Sequence, residues 1–198
     1  GLEVKLATRL DTPTAWEDLR RAHAALYIAT GAQRQKRLPA LDYRHAWVVD
    51  GAAYLAAANA GRPLPLGRRL VVIGGGSAAL DAARSARRAG HEVTVLSLES
   101  RAQLPAQREE VEEALEEGVV LCDGAMLQKA EERAGQVHLD CTRVRFEAGA
   151  RRGEFASIPL EGGAFELVAD ALLTSIGQDP DLEALGAVCS THGALLAV

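Results

Sequence analysis

The chain has 198 residues, 48% of them hydrophobic and 25% charged, with a formal net charge of −5. It is large enough to bury a genuine core in one or two small domains, and its acidic balance argues against nucleic acid or an anionic membrane as the main partner. No apolar run is long enough to span a bilayer, and Cys122, Cys141 and Cys189 are scattered with no CxxC spacing, so the reading is a cytoplasmic chain with reduced thiols, without a disulfide framework or a zinc centre.

The chain does not begin with Met and opens on a strand-like alternation, "LEVKLAT" at 2–8, so a piece of a longer protein is expected. In "TPTAWEDLRRAHA", Thr14 and Glu17 have the spacing of a capping box and predict a helix. "AALYIATGA" (24–32) predicts a buried strand ending in a glycine turn, and 48–61 a helix closed by Gly61 ahead of the linker "RPLPLG". Then come a strand in "RRLVVIG", a helix in "SAALDAARSARRAG" and a strand in "HEVTVLSLE", together a β-α-β unit. Residues 105–118 read as a helix with Val111, Ala114 and Leu115 inward and a solvated face of glutamates. A strand in "VVLCDGAMLQKA", an antiparallel ribbon from about 136 to 168 and a last buried strand in 170–177 complete the series. The fold class is α/β: a Rossmann-like parallel sheet with helices on both faces, an antiparallel ribbon, and terminal segments packed as a partial second domain.

The centre of the pattern is "LVVIGGGSAALDAARSARRAGHEVTVL" at 70–96. A strand that runs through Gly74, Gly75 and Gly76 straight into a helix turns backbone N–H groups outward at the helix N-terminus, at Ser77, Ala78 and Ala79. Gly74 permits the tight turn, Gly76 lets a pyrophosphate approach the backbone, and Ala79 lets helix and strand pack closely. A strand-to-helix turn also needs glycine for purely steric reasons. The register of both flanking strands with the helix favours the dinucleotide site. His23, His45, His91, His138 and His192 lack metal-ligand spacing, and no catalytic acid, base or nucleophile constellation stands out.

Four blocks in order, "YIATGA", the 70–96 stretch, "LPAQREEVEEALEEGV" and "ADALLTSIGQDPD", resemble the pyridine-nucleotide-binding region of the two-dinucleotide-binding-domain flavoproteins. The likeness is greatest to oxidoreductases of the glutamate synthase small-subunit type and spans nearly the whole chain. It implies an FAD domain interrupted by an NAD(P)H domain: residues 1–61 and 179–198 as pieces of the first, and 62–178 as the second. The resemblance places Ser175, Ile176 and Gly177 at a cofactor-side turn. It also gives Asp81 a place near the nicotinamide carboxamide, although an acid favoured by the dipole of a helix's first turn reads equally well. Asp179 and Asp181 read as turn formers.

Two elements of that family are absent from these residues: a second glycine fingerprint near the N-terminus and a later "GD" segment for the flavin. FAD is therefore expected in the full-length parent only. There the nicotinamide would pass hydride to the flavin and electrons would leave toward a partner subunit or iron–sulfur protein. Thioredoxin reductases share the fold but carry a CxxC where this chain reads "YLAAANAG". A nucleotide-binding regulatory module without turnover is the alternative.

For the choice of nicotinamide, the resembled family commonly carries two arginines for the NADP 2′-phosphate where this chain has Leu98 and Glu99. A carboxylate repels a phosphate and accepts hydrogen bonds from a free ribose hydroxyl, so NAD is favoured over NADP. Ser97 is a nearer alternative contact, Arg101 and Arg108 are placed to rescue a phosphate, and Glu99 as a solvated loop residue remains the alternative.

Overall fold

The computed structural model describes residues 1–150, 154–181, 183, 190–192 and 195–197, which divide into two compact units, 1–36 with 178–198 and 37–177. In the first unit, helix α1 (Pro13–Ala22) is capped by Thr12, whose hydroxyl accepts from the Ala15 N–H at 3.3 Å. Pro13 at the first helical position explains why the cap lies two residues before the expected Thr14, since its missing N–H is one the helix cannot use anyway. Trp16 anchors the helix, its indole N–H donating to the Leu10 carbonyl at 3.0 Å. Strands β1 (Arg34–Gln35) and β10 (Gln178–Asp179) pair antiparallel, so the two terminal segments join. Arg34 reinforces the junction through Asp181 at 2.8 Å and Glu183 at 2.7 Å. Strands β11 (Ser190–His192) and β12 (Leu195–Ala197) form a second small pair.

Two expected strands are missing. Residues 2–8 and 24–32 form no ladder, and Leu2, Val4, Leu6 and Tyr27 lie exposed. Their apolar pattern suits a strand, but a strand exists only when a neighbour takes its N–H and C=O groups. No described strand does.

The second unit is built on a parallel five-stranded sheet in the order β2-β9-β3-β4-β5, with β2 (Val48–Asp50), β3 (Arg69–Ile73), β4 (Glu92–Leu96), β5 (Val120–Cys122) and β9 (Ala171–Thr174). Residues 37–61 thus share a unit with this sheet, whereas the sequence boundary was set after residue 61. The stretch expected as one helix, 48–61, begins as edge strand β2 and becomes helix α2 (Gly51–Asn59) at Asp50, whose carboxylate caps the Ala52 N–H at 2.7 Å.

Alternate residues of the central strands face two different layers. Leu70, Val72, Val93, Val95, Ala171 and Leu173 meet helices α2, α3 (Ser77–Arg88) and α4 (Arg108–Glu116). The buried stripe of α3 is alanine at 79, 82, 83 and 86, which lets the helix lie close on the sheet. Val71, Ile73, Leu96 and Leu172 face the other way, onto an antiparallel three-stranded sheet of β6 (Ala125–Arg133), β7 (Gln136–Ala148) and β8 (Phe155–Ala169). Helices therefore cover one face only, correcting the expectation of helices on both. The connection from β5 to β9 supplies its apolar cover from alternating Val137, Leu139 and Cys141 of β7 instead. Among the described residues no helix is long and apolar enough to cross a membrane.

At the amino edge of the sheet Asp170 pins the linker to β9. Its carboxylate accepts from the N–H groups of Arg68 and Arg69 at 2.7 and 2.8 Å and from the Arg69 guanidinium at 3.3 Å. These donors, the Arg69 N–H foremost, hold its pKa below the usual aspartate value. Asp170→Ala should cost about 2–3 kcal/mol in urea denaturation, since charge-assisted bonds of this kind contribute roughly 1.5–3 kcal/mol each. A carboxyl with a depressed folded pKa stabilises above its unfolded pKa and ceases to as pH falls through the folded one. The difference between wild type and variant should therefore shrink below about pH 4. A gap that stays constant into that range would contradict this account.

Candidate functional site

In a parallel sheet the chain leaves every strand at the same edge, and here the strand after β3 lies on one side (β4) while β9 and β2 lie on the other. The crevice where the winding reverses, between β3 and β9, is where open α/β sheets bind ligands. Gly74 sits in it. Its N–H donates to the Leu96 carbonyl at 3.0 Å, and the Ser175 N–H donates to the Ile73 carbonyl at 2.8 Å, so β4, β3 and β9 are tied together at this point.

The three glycines have different reasons to be glycine. Gly74 has φ +139, and a Cβ there would lie 2.3 Å from the Ser175 carbonyl oxygen. Gly75 is walled in: a Cβ would meet Ser97 Oγ at 2.6 Å, Leu104 Cδ2 at 2.8 Å and Glu99 Oε2 at 2.9 Å. At Gly76, φ is −90 and a Cβ would meet nothing within 4 Å. Gly76 also caps α3 without a side chain, leaving the first N–H groups of the helix, at Ser77 and Ala78, to an external acceptor. The space over Gly76 is a cradle that any side chain would fill, beside the positive end of a twelve-residue helix. Ala79 is fully buried beneath the turn, 3.3 Å from where a Gly74 Cβ would stand.

The wall beside Gly75 brings together residues read separately from the sequence. Ser97 is buried and donates its hydroxyl to Glu99 Oε2 at 2.5 Å, while the Glu99 N–H donates back to Ser97 Oγ at 3.2 Å. The Glu99 carboxylate is thereby held against the glycine loop and is not a freely solvated loop group. The segment that follows closes over the same loop: the Ala106 N–H donates to the Gly75 carbonyl at 3.2 Å, and Leu104 packs on the helix-side core.

The sequence reading missed Glu110. Its Oε2 accepts from the Ser77 hydroxyl at 2.6 Å and from the Gln107 N–H at 3.0 Å, and these bonds, Ser77 first, lower its pKa. The Gln107–Glu110 spacing is that of a capping box and was the available signal. Glu113 and Glu117 are likewise engaged, by Arg84 at 2.7 Å each and, for Glu117, by Arg88 at 2.5 Å. The glutamate face expected to be solvated is in part the seam between α3 and α4.

Other named residues fall outside the cradle. Asp81 is exposed and is the fifth residue of α3, beyond the first turn where the dipole would favour it. Arg108 is occupied by Glu112 at 2.9 Å. Arg101 is exposed, its backbone N–H held by Asp123 at 2.6 Å. Ile176 packs into the core under the antiparallel sheet, and Gly177 turns the chain with φ +97. Asp179 lies in β10, while Asp181 pairs with Arg34 at 2.8 Å and also accepts from the Glu183 N–H at 3.3 Å, the local bond of a turn-forming aspartate. The Ser175 hydroxyl is shielded from solvent and has no hydrogen-bond partner among the described residues. An orphaned polar atom of this kind costs on the order of 1–3 kcal/mol unless something supplies a partner.

Neither described cysteine is an activated thiol. Burial pushes the Cys141 thiol up to about 12 and also raises that of Cys122, and Cys189 lies outside the described residues. Among the described residues no cluster could hold a metal ion. A cradle at a helix N-terminus, a carboxylate held beside the glycine loop and one orphaned hydroxyl fit a nicotinamide dinucleotide, whose chemistry needs no side-chain acid or base.

Comparison with known proteins identifies the family and the fold. The sequence profile of the family described as pyridine nucleotide-disulphide oxidoreductase matches residues 10–197. The NADPH-Fe(3+) oxidoreductase subunit beta of Geobacter sulfurreducens is 32% identical over 192 residues, covering 92% of this chain and 28% of that protein. A putative glutamate synthase [NADPH] small chain of Cereibacter sphaeroides is 36% identical over 129 residues, covering 60% and 31% respectively. The chain therefore spans less than a third of the length of either relative. Mycobacterium tuberculosis FprA in complex with NADPH has a similar fold, with a TM-score of 0.65 at 17% identity over 82% of this chain and 52% of that one. The resemblance to the glutamate synthase small-subunit type is borne out.

Proposed function

The chain belongs to the pyridine nucleotide-disulphide oxidoreductase family, and we propose that it binds a nicotinamide dinucleotide along the carboxyl edge of its parallel sheet. The observation that carries the reading is Gly76: nothing in the protein's own packing requires glycine there, whereas an approaching diphosphate does. Gly76 and the α3 N-terminus hold the diphosphate, and Glu99, steadied by Ser97, takes the adenine-side ribose hydroxyls. The cofactor, once bound, supplies the hydride, and the protein supplies orientation and electrostatics.

In the whole protein the hydride passes to FAD held by segments outside this chain, and electrons continue to a partner subunit or iron–sulfur protein. Relatives named as a beta subunit and a small chain support that last step. Residues 1–36 and 178–198 would contribute to the flavin domain, and the exposed Leu2, Val4, Leu6 and Tyr27 suit strands awaiting partners.

NAD is the favoured nucleotide. By the family resemblance Glu99 takes the place of an arginine that would meet a 2′-phosphate, its carboxylate lies beside Gly75, and Arg108 is paired with Glu112. Calorimetric titration of the purified chain with NADH and NADPH tests this. NADH should bind more tightly, Glu99→Arg should reverse the order, and the preparation should carry no flavin absorbance. Tighter NADPH binding by the wild type would overturn the preference, and binding of neither nucleotide would overturn the site.

A further inference from the structure

Ser175 directly follows β9, one strand beyond the glycine loop on the side away from Ser97 and Glu99. Its backbone is fixed twice, by the bond from its N–H to the Ile73 carbonyl and by the close approach of its carbonyl to Gly74. Its side chain is not fixed by any hydrogen bond. The hydroxyl rests against Gly51, the first residue of α2, where a Cβ would lie 2.0 Å from it. Only it and the Trp47 indole nitrogen are buried side-chain polar atoms without a partner among the described residues. A folded chain tolerates such an atom where a ligand completes it.

The topology says which part of a ligand that is. Neighbouring strands lie about 4.8 Å apart. A dinucleotide with its diphosphate over Gly76 and its adenosine half over β4 must therefore lay its other half across β9. That half is a ribose bearing a nicotinamide, rich in hydroxyl and carboxamide groups that both donate and accept. We propose that the Ser175 hydroxyl is the specificity-determining contact for the nicotinamide nucleoside. It swings about its χ1 from Gly51 toward the crevice and hydrogen-bonds that nucleoside. The swing needs no backbone movement, because a serine side chain has three staggered wells to choose from. This rests on the dinucleotide reading given above.

The test is Ser175→Ala, with binding of NADH and of ADP measured beside thermal unfolding. ADP carries the adenosine and diphosphate but lacks the nicotinamide nucleoside. Removing an unsatisfied hydroxyl should leave the melting temperature unchanged or raise it. NADH should bind roughly three- to tenfold more weakly, the value of one hydrogen bond, and ADP should bind as before. ADP-ribose then locates the bond: a loss shared with ADP-ribose assigns it to the ribose, and a loss seen only with NADH assigns it to the carboxamide. An equal loss for NADH and ADP, or no loss for either, overturns the proposal. Wild-type protein that binds neither would instead overturn the dinucleotide site itself, and this contact with it.

Discussion

Gly76→Val should leave the fold standing and abolish binding of the dinucleotide. The backbone at Gly76 has φ −90 and ψ 171, an extended conformation that valine adopts readily, and the added Cβ meets nothing within 4 Å. The cost to folding is confined to a poorer helix cap, about 1 kcal/mol at most. The cost to binding is far larger, because the side chain fills the space through which a diphosphate reaches the N–H groups of α3. Losing two charge-assisted hydrogen bonds at roughly 1.5–3 kcal/mol each weakens binding on the order of a hundredfold or more. Urea denaturation and calorimetric titration on the same sample separate the two effects. If NADH binds the valine variant with unchanged affinity, the diphosphate does not lie over Gly76.

Two residues earlier the balance reverses. Gly74→Ala should destabilise the second unit by about 3–5 kcal/mol, combining the strain of a positive φ with the overpacking of a tight contact. The neighbour is the Ser175 carbonyl at 2.3 Å, a backbone atom that cannot rotate away, at φ +139 where an L side chain is rarely found. The same shift would part β3 from β9 and open the crevice, so binding falls with stability. A loss in urea denaturation below roughly 1 kcal/mol, the size of an ordinary surface change, would mean the turn relaxes far more easily than this packing implies. Together the two variants distinguish a glycine kept for the fold from a glycine kept for a ligand.

Much of the second unit was legible because its signals are local. Strand 69–73, helix 77–88 and strand 92–96 follow from an apolar run, a glycine turn and a 3.6-residue alanine stripe, and each lies within about three residues of its expected bounds. Glu99 is named from the place of the resembled family's arginine pair and Ser97 as the nearer contact, and the structure sets both against Gly75.

What the sequence by itself determined is the order and type of these elements and the presence of a glycine turn at a helix N-terminus. What tertiary structure alone decided depends on partners distant in the chain. The segment at 24–32 has the composition of a strand but no described neighbour to take its hydrogen bonds, and composition cannot supply one. The second face of the sheet is covered by strands and not helices because β6 to β8 return onto it, a matter of where a long connection packs. The three glycines look alike in sequence. Only the positions of Ser175, Leu104 and Glu99, brought in from other strands and loops, separate two that pack from one that leaves room. Glu110 reaches Ser77 across a separation of 33 positions because α3 and α4 lie side by side, and no spacing rule spans that distance.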